Sequence, residues 1–303
     1  MTDPLSQIVQ LLRPRAVYSK AMSGAGRWGV RYSDFGQPGF CAVIEGRCLL
    51  TLDGKAPVAL EEGDFVLLPA TPAFTMSGFE PVALAPLDPR ATPTPTGEVR
   101  HGRAEGPPDV RLFGGHFTFE SPDAALLVAL LPAMIHVRGI PRLSQLVRVL
   151  GEEAGEDAIG RDLVLARLVE ILLIEALRAA PREDASPSLL RGLADPRIAL
   201  ALRQMHGEAE RAWTVAELAR GTGMSRSAFF DRFARTVGIC PMEYLLAWRM
   251  ALAKDLLRGG HIALDEVARR IGYGSASTFS TAFSRHVGQP PGRFMREAAR
   301  TAA

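Results

Sequence analysis

The chain has 303 residues, of which 47% are hydrophobic and 22% are charged, and its net charge is +2. This length suffices for two domains with buried cores, and the composition excludes a disordered or fibrous chain. From Asp195 onward, 16 Lys and Arg face 10 Asp and Glu, whereas the preceding part has 19 against 23. A basic C-terminal third is typical of a domain that meets a polyanion, although a solvated surface with a chance excess gives the same count.

The N-terminal residues are too polar for a secretion signal, and the most apolar stretch, residues 163–177, is interrupted by charged residues. That stretch is also shorter than the roughly 20 residues of a membrane span. Three cysteines, Cys41, Cys48 and Cys240, form no C-x-x-C pair and are expected to be small buried hydrophobic groups in a reducing compartment. We therefore expect a cytoplasmic protein with no membrane partner.

Residues 15–120 are predicted to form strands, because short runs such as FCAVIEG and FVLLPA are bounded by Gly, Pro and Asp-Gly turns. The spacing of these turns favours a compact antiparallel β-barrel or a sandwich, and the Pro- and Gly-rich residues 91–109 favour a long loop. Three- and four-residue apolar spacing predicts helices over residues 123–180, with His136 in helical packing. Residues 1–180 are thus assigned to one domain.

A polar linker is predicted over residues 181–195, and residues 196–303 are predicted to be all helical. This C-terminal part contains a repeat, in which residues 214–245 parallel residues 264–295 at an offset of 49 and then 50. Two unrelated amphipathic helices would not share the same Gly, Ser, Gly and Pro punctuation. The fold class is therefore two-domain α+β, an antiparallel barrel with a helical segment followed by an all-α domain with two helix-turn-helix units.

Each copy predicts a short helix, a turn at a glycine and a second helix capped by a serine, Ser225 in the first copy and Ser275 in the second. Phenylalanines at four-residue spacing form the buried face of the second helix. The opposite face carries small polar residues and arginine, which suit a helix that enters a DNA major groove. These positions are Ser227, Asp231 and Arg235 in the first copy, and Ser277, Thr281 and Arg285 in the second.

Residues 241–260 predict one continuous helix that ends at Gly259–Gly260 and holds the two copies at a fixed separation. The sequence strongly resembles the DNA-binding domain of AraC-type (AraC/XylS) bacterial transcription regulators. The resemblance is carried by this helix and by the segments LARGTGMSRSAFFDRFARTVGICPMEYLLAWRMALAKDLL and VARRIGYGSASTFSTAFSRHVGQPPGRFMR. The resemblance covers about residues 196–300. It implies a homodimeric regulator of double-stranded promoter or operator DNA, usually an activator that works with RNA polymerase.

The resemblance implies base-reading positions at Ser227, Phe230 and Asp231, and at Ser277, Ser280 and Thr281. Because Asp231 and Thr281 replace frequent arginines, the usual arginine–guanine contact is excluded there. Asp231 either accepts from a cytosine amino group or pairs with Arg235 one turn on. With the capping serines and their neighbours, the predicted DNA-binding set is Ser225, Arg226, Ser227, Phe230, Asp231, Arg235, Ser275, Ser277, Thr278, Ser280, Thr281 and Arg285.

The N-terminal part resembles the cupin-type sensor domain of a subgroup of these regulators, through LLRPRAVYSK, FCAVIEGRCLLTLDG, LEEGDFVLLPA and LFGGHFTFE. The resemblance implies a small-molecule effector site and a dimer contact in helices 123–180. Metal-binding cupins use an H-x-H pair, a Glu and a later His, but residues 15–120 contain only His101 and His116. We therefore expect no metal, no cofactor and no catalytic residue.

Candidate effector-pocket residues are Trp28, Phe40, Phe65, Phe74 and His116, although aromatic side chains also fill small barrels without leaving a cavity. The leading hypothesis is a DNA-binding regulator that responds to a small organic molecule. Two alternatives stay open. One is a metal-dependent cupin enzyme with an appended DNA-binding domain, and the other is a regulator without an effector, whose barrel serves only oligomerisation.

Overall fold

The computed structural model describes residues 3–88, 98–119, 128–155, 158–180, 187–260 and 262–302. The chain divides into two compact units, one of Arg13–Glu183 and one of Met1–Leu12 with Asp184–Ala303. The division falls between Glu183 and Asp184, and the predicted linker spans residues 181–195. The first twelve residues, which the prediction placed in one domain with residues 13–180, belong to the C-terminal unit.

The N-terminal unit is a curled sheet in which most neighbouring strands are antiparallel. The strands are β1 (Pro14–Ala25), β2 (Gly29–Tyr32), β3 (Gly39–Leu52), β4 (Val58–Glu61), β5 (Phe65–Leu68), β6 (Phe74–Ser77), β7 (Ala85–Leu87), β8 (Val99–Gly102), β9 (Val110–Phe119) and β10 (Ile135–Val137). Their order in the sheet is β7-β2-β6-β3-β9-β1-β8, with β4 and β5 paired to β3 and β10 paired to β5. The β1–β8 and β2–β7 pairs are parallel.

Strand β3 allows the sheet to close around an apolar core. Its first half pairs with β5 and β9, and its second half pairs with β4 and β6. A register shift between Val43 and Glu45 bends the strand between the two halves. The inward side chains, such as Val43, Leu50 and Leu60, are almost fully buried. The predicted fold class, a cupin-like β domain followed by a helical domain, is confirmed.

Two local predictions for this unit need correction. Strand β8 lies within residues 91–109, which were predicted to be a loop, and residues 91–97 lie outside the described residues. His136 lies on β10 and not on a helix. Its Nε2 is 2.8 Å from Oδ2 of the buried Asp64, the residue immediately before β5. This hydrogen bond helps to hold β10 beside β5. Helices α2 (Pro141–Gly155) and α3 (Arg161–Ala179) follow, and residues 123–127 lie outside the described residues.

The C-terminal unit is helical. Helix α4 (Leu189–Ala194) lies inside the predicted linker, and Ser188 caps it by accepting from the backbone N–H of Arg191 at 3.2 Å. Residues 181–186 of that linker lie outside the described residues. The helices are α1 (Pro4–Leu12), α4 (Leu189–Ala194), α5 (Pro196–Gly207), α6 (Val215–Gly221), α7 (Arg226–Val237), α8 (Pro241–Arg258), α9 (Leu264–Arg270), α10 (Ala276–Val287) and α11 (Pro291–Ala302).

Helix α8 contributes to the cores of both repeat copies. Near its start Tyr244 packs against Phe233 of the first copy, and near its end Leu257 joins the cluster around Phe283 of the second. The four phenylalanines of the predicted stripes, two in α7 and two in α10, are fully buried. The predicted single helix that ends before two glycines is confirmed, because α8 runs to Arg258 and Gly259 caps it.

Candidate DNA-binding surface and barrel cavity

The first helix-turn-helix unit consists of α6, a turn at Gly223 and α7. Thr214 and Glu217 form a reciprocal capping box at the start of α6. Gly223 has φ +66°, a left-handed conformation that glycine adopts without strain. The Ser225 hydroxyl then accepts from the backbone N–H of Ala228 at 3.3 Å. The predicted glycine turn and serine cap are both confirmed.

The second unit, α9 and α10, repeats this construction. Gly272 turns the chain at φ +82°, and Ser275 accepts from the backbone N–H of Thr278 at 3.2 Å. In both copies the capping serine already uses its oxygen to hold the helix start. Ser225 and Ser275 therefore fix the starts of helices α7 and α10, whose exposed faces carry Ser227 and Ser277.

The predicted DNA-binding residues lie on the exposed sides of α7 and α10. Phe230 is 40% exposed, which is a large value for a phenylalanine in a helix that buries two others. Ser280 is half-buried. The remaining members of the predicted set are exposed: Ser225, Arg226, Ser227, Asp231, Arg235, Ser275, Ser277, Thr278, Thr281 and Arg285.

Asp231 does not pair with Arg235. Among the described residues it makes no ion pair, so the interpretation that the two neutralise each other is wrong. The adjacent Arg232 instead donates from Nε to Oδ2 of Asp195, the N-cap residue of α5, at 2.6 Å. The carboxylate of Asp231 is thus left on the exposed face as a hydrogen-bond acceptor.

Thr281 also has a defined state in the structure. Its hydroxyl donates to the backbone carbonyl of Ser277, one turn earlier, at 3.1 Å. With that proton committed, the outer side of Thr281 offers a methyl group and an oxygen lone pair. In this state it can contact a thymine methyl or accept from a base amino group.

The barrel of the N-terminal unit contains a partly open cavity of about 120 Å³. Three predicted effector-pocket residues, Phe40, Phe74 and His116, line it. Trp28 and Phe65 lie elsewhere in the core. Trp28 stacks on His101 with 6.0 Å between ring centroids, and Phe65 packs 6.4 Å from Phe40.

The cavity is apolar except for a few groups. Its polar side chains include Lys20, Thr71 and His116. Burial lowers the pKa of Lys20. Burial, and then the neighbouring charge of Lys20, lower the pKa of His116, so that this ring is neutral at pH 7. Burial and the nearby Cys48 raise the pKa of the Cys41 thiol, so it lines the cavity as an uncharged group.

Within the described ranges, no group of three or more His, Cys, Asp and Glu side chains could hold a metal ion. None of the helices described is both long and apolar enough to cross a membrane.

Comparison with known proteins assigns both units to families. A cupin family model matches residues 3–180, and a helix-turn-helix domain model matches residues 218–297. Two relatives named "Putative AraC-like transcription regulator" match nearly end to end. The one from Streptomyces lividans is 36% identical over 97% of this chain and 98% of its own length. The one from Streptomyces antibioticus is 37% identical over the same shares. The chain belongs to the AraC-like transcription regulators.

As an AraC-like regulator, the protein binds DNA through the helix-turn-helix domain of its C-terminal unit. A third relative, an "Uncharacterized HTH-type transcriptional regulator" of Haemophilus influenzae, is 26% identical over 97% of this chain and 98% of its own length. The relatives share both halves of the chain, so the sensor-like β domain and the DNA-binding domain occur together in them.

Sequence reasoning missed Arg249, which ties α8 to the segment between α5 and α6 and lies beside the turn of the second unit. From α8 it donates to the carbonyl of Ala209 at 2.8 Å and to that of Arg211 at 2.7 Å, at the end of α5. A Cβ at Gly272 would lie 2.7 Å from its guanidinium and 2.5 Å from the Glu210 carbonyl. The second turn thus needs glycine for space as well as for its positive φ. The sequence W-R-M at residues 248–250 of α8 was the available signal for a role of Arg249.

Proposed function

We propose that this AraC-like regulator senses a small organic molecule in the barrel cavity and thereby controls promoter DNA binding. The observation that carries the proposal is an apolar cavity, lined by Phe40, Phe74 and His116, in the domain joined to two exposed recognition helices. Dimerisation through the helices of residues 123–180, activation with RNA polymerase and a cytoplasmic location complete the proposal, on the resemblance to the family.

We further propose a division of labour on the recognition helices. Ser227, Asp231 and Thr281 offer small polar groups that meet base edges, because their side chains are short and exposed. Arg285 in the last turn of α10 reaches a phosphate. Sequence discrimination then depends on DNA shape and phosphate contacts more than on arginine–guanine pairs.

Binding of the full-length protein to its genomic sites, mapped first, tests this division. Thr281→Ala should change the ranking of operator base variants, and should leave the salt dependence of binding unchanged. Arg285→Ala should weaken every site alike and reduce the salt slope by about 1. Arg300→Ala, an exposed arginine on α11, is the matched control and should change neither. If Arg285→Ala changes the ranking of operator base variants while Thr281→Ala weakens binding to all of them, the assignment of Thr281 to bases and Arg285 to a phosphate is wrong.

The enzyme and effector-independent alternatives make different predictions. A metal-dependent cupin would purify with about one iron, manganese or zinc ion per chain. A regulator without an effector would bind none of the small molecules that fit the cavity, and its DNA affinity would not respond to them. Metal analysis and ligand titration of the same preparation decide between the three.

A further inference from the structure

The polar groups of the barrel cavity are gathered at one end of it. Lys20 on β1 and Cys41 on β3 both pair with Gly114 of the intervening strand β9. His116 follows two residues later on β9 and so points to the same face of the sheet as position 114. Lys20 is close enough to His116 to lower the pKa of its ring.

Thr71 completes this cluster. Its hydroxyl lies against Gly39, where a Cβ would come within 2.6 Å of Oγ1, and Gly39 is paired with His116. The backbone of Thr71 is fixed, since its N–H donates to Gln37 and its carbonyl accepts from Phe35 and Gly36. Thr71 is only 5% exposed, and among the described residues Oγ1 has no hydrogen-bond partner. A buried hydroxyl without a partner is destabilising, so a ligand acceptor at this point is favoured.

Glycine makes room for such a ligand. A Cβ at Gly114 would lie 3.0 Å from both Cε of Met22 and the Phe40 carbonyl, so any larger residue would fill the space in front of Lys20. The rest of the wall is apolar and includes Leu50, Val66 and Met76. Among the lining side chains that the structure describes, Lys20 supplies an ammonium group.

We infer that the cavity binds a small apolar carboxylic acid, with its carboxylate held by Lys20 and Thr71 beside His116 and its hydrocarbon part among the apolar residues. An ammonium, a hydroxyl and an imidazole together supply the donors that two carboxylate oxygens need. A cavity of about 120 Å³ is near the size of an engineered cavity of about 150 Å³ that takes up benzene, which sets the scale of the hydrocarbon part. This inference rests on the proposed sensor function and names its ligand class.

Three probes of one shape but different charge test the inference on the full-length protein. They are phenylacetate, 2-phenylethanol and 2-phenylethylammonium, titrated by calorimetry at millimolar concentration. Phenylacetate should bind about tenfold or more tightly than the other two, as expected for a charge-assisted hydrogen bond. If the alcohol or the ammonium binds equally well, or if none of the three binds, the inference is overturned.

Variants assign the effect to the named groups. Lys20→Met should weaken phenylacetate about tenfold or more and leave 2-phenylethanol unchanged. Lys55→Met removes a lysine from an exposed turn of the same unit and should change neither. Thr71→Val keeps the side-chain shape and should weaken the acid by a smaller factor, so the inference stays testable even if Lys20→Met fails to fold. Unaltered phenylacetate affinity in both variants would contradict it.

The ligand class and the sensor function fail in different ways. DNA affinity is measured in the same samples with and without phenylacetate. If the acid binds through Lys20 and the DNA affinity changes, both stand. If the acid binds through Lys20 but the DNA affinity does not change, the ligand class is supported and the sensor function is contradicted. If no probe binds while DNA is bound normally, the ligand class fails and the DNA-binding function stands.

Discussion

A single histidine connects three helices of the DNA-binding unit. The Nδ1 of His206 on α5 donates to Oε1 of Gln7 on α1 at 2.9 Å, and its Nε2 accepts from the hydroxyl of Tyr244 on α8 at 2.6 Å. The ring also stacks on Trp248 with 3.9 Å between centroids. A neutral imidazole satisfies both partners. Protonation would add a donor that faces the hydroxyl in a site that is 4% exposed.

Stability of this unit should therefore fall in mild acid. Burial lowers the pKa of His206 to about 3, whereas an unfolded histidine titrates near 6.5. Between these values only the unfolded state binds the proton, so the stabilisation present above pH 6.5 is lost as the pH falls. The loss is about 2 kcal/mol at pH 5. Hydrogen exchange of α5 and α8 amides at pH 7 and pH 5 measures it.

His206→Gln is the variant for this measurement, since glutamine can both donate to Gln7 and accept from Tyr244 without titrating. Its free energy of unfolding should be lower than wild type at pH 7 and should change less between pH 7 and pH 5. An identical pH dependence in wild type and variant would show that other groups cause the acid sensitivity.

In helices α7 and α10 the capping residues were predictable from the sequence, whereas the ion-pair partners were not. The cap residues Ser225 and Ser275 follow from the position of a serine before an amphipathic run, and both cap as expected. Asp231 was placed on the correct face, but its pairing with Arg235 was wrong. Helical spacing brings two residues near each other but does not fix the direction of their side chains. On this helix Arg232 forms an ion pair, and its partner is Asp195, 37 residues away along the chain.

At the scale of elements, helix α3 is apolar on more than one side. Leu165, Val169 and Leu172 are buried, as are others on that face. On the outer side Leu163, Val164 and Ile171 are 64%, 42% and 41% exposed. Exposed apolar groups close together on one helix are typical of a protein–protein interface. A second copy of the chain is the occupant that we propose, because the resemblance places the dimer contact in this segment.

The double variant Leu163→Glu, Ile171→Glu should raise the dimer dissociation constant by about tenfold or more, since each glutamate would be desolvated at the interface. Analytical ultracentrifugation measures it. Leu200→Glu, at a partly exposed apolar residue on α5, is the control and should dimerise as wild type does. A wild-type protein that stays monomeric at high concentration, or a double variant that still dimerises fully, would exclude α3 as the interface.

Elements were predictable where the sequence pattern is long and regular, as in α7, α8 and α10. The short run of Ile135, His136 and Val137 is different. Three residues carry too little periodicity to distinguish a strand from a helical turn. Their strand conformation comes from pairing with β5 and from the contact between His136 and Asp64, 72 residues apart. No local pattern contains that information.

At the scale of the whole molecule, the division into units does not follow chain order. Helix α1 precedes the barrel but belongs to the DNA-binding unit, where Ile8 and Leu12 are fully buried and Gln7 bonds to a residue 199 positions away. The sequence prediction placed it in one domain with the rest of residues 1–180, outside the strands predicted over residues 15–120. Its amphipathic pattern shows that it buries one face, but not against which partner.

Because α1 packs in the DNA-binding unit, its buried side chains should stabilise that unit. Ile8→Ala removes fully buried methyl and methylene groups from α1 and should destabilise the DNA-binding unit by about 2–5 kcal/mol, although the recognition helices lie some two hundred residues away. Gln10→Ala, at an exposed position of the same helix, should change the stability by less than about 0.5 kcal/mol. Hydrogen exchange of α5 and α8 amides reports the difference, and DNA affinity on warming should fall earlier for Ile8→Ala. If these amides are equally protected from exchange in the two variants, α1 does not stabilise the DNA-binding unit. A fragment that begins after the linker would then bind DNA as stably as the full chain does.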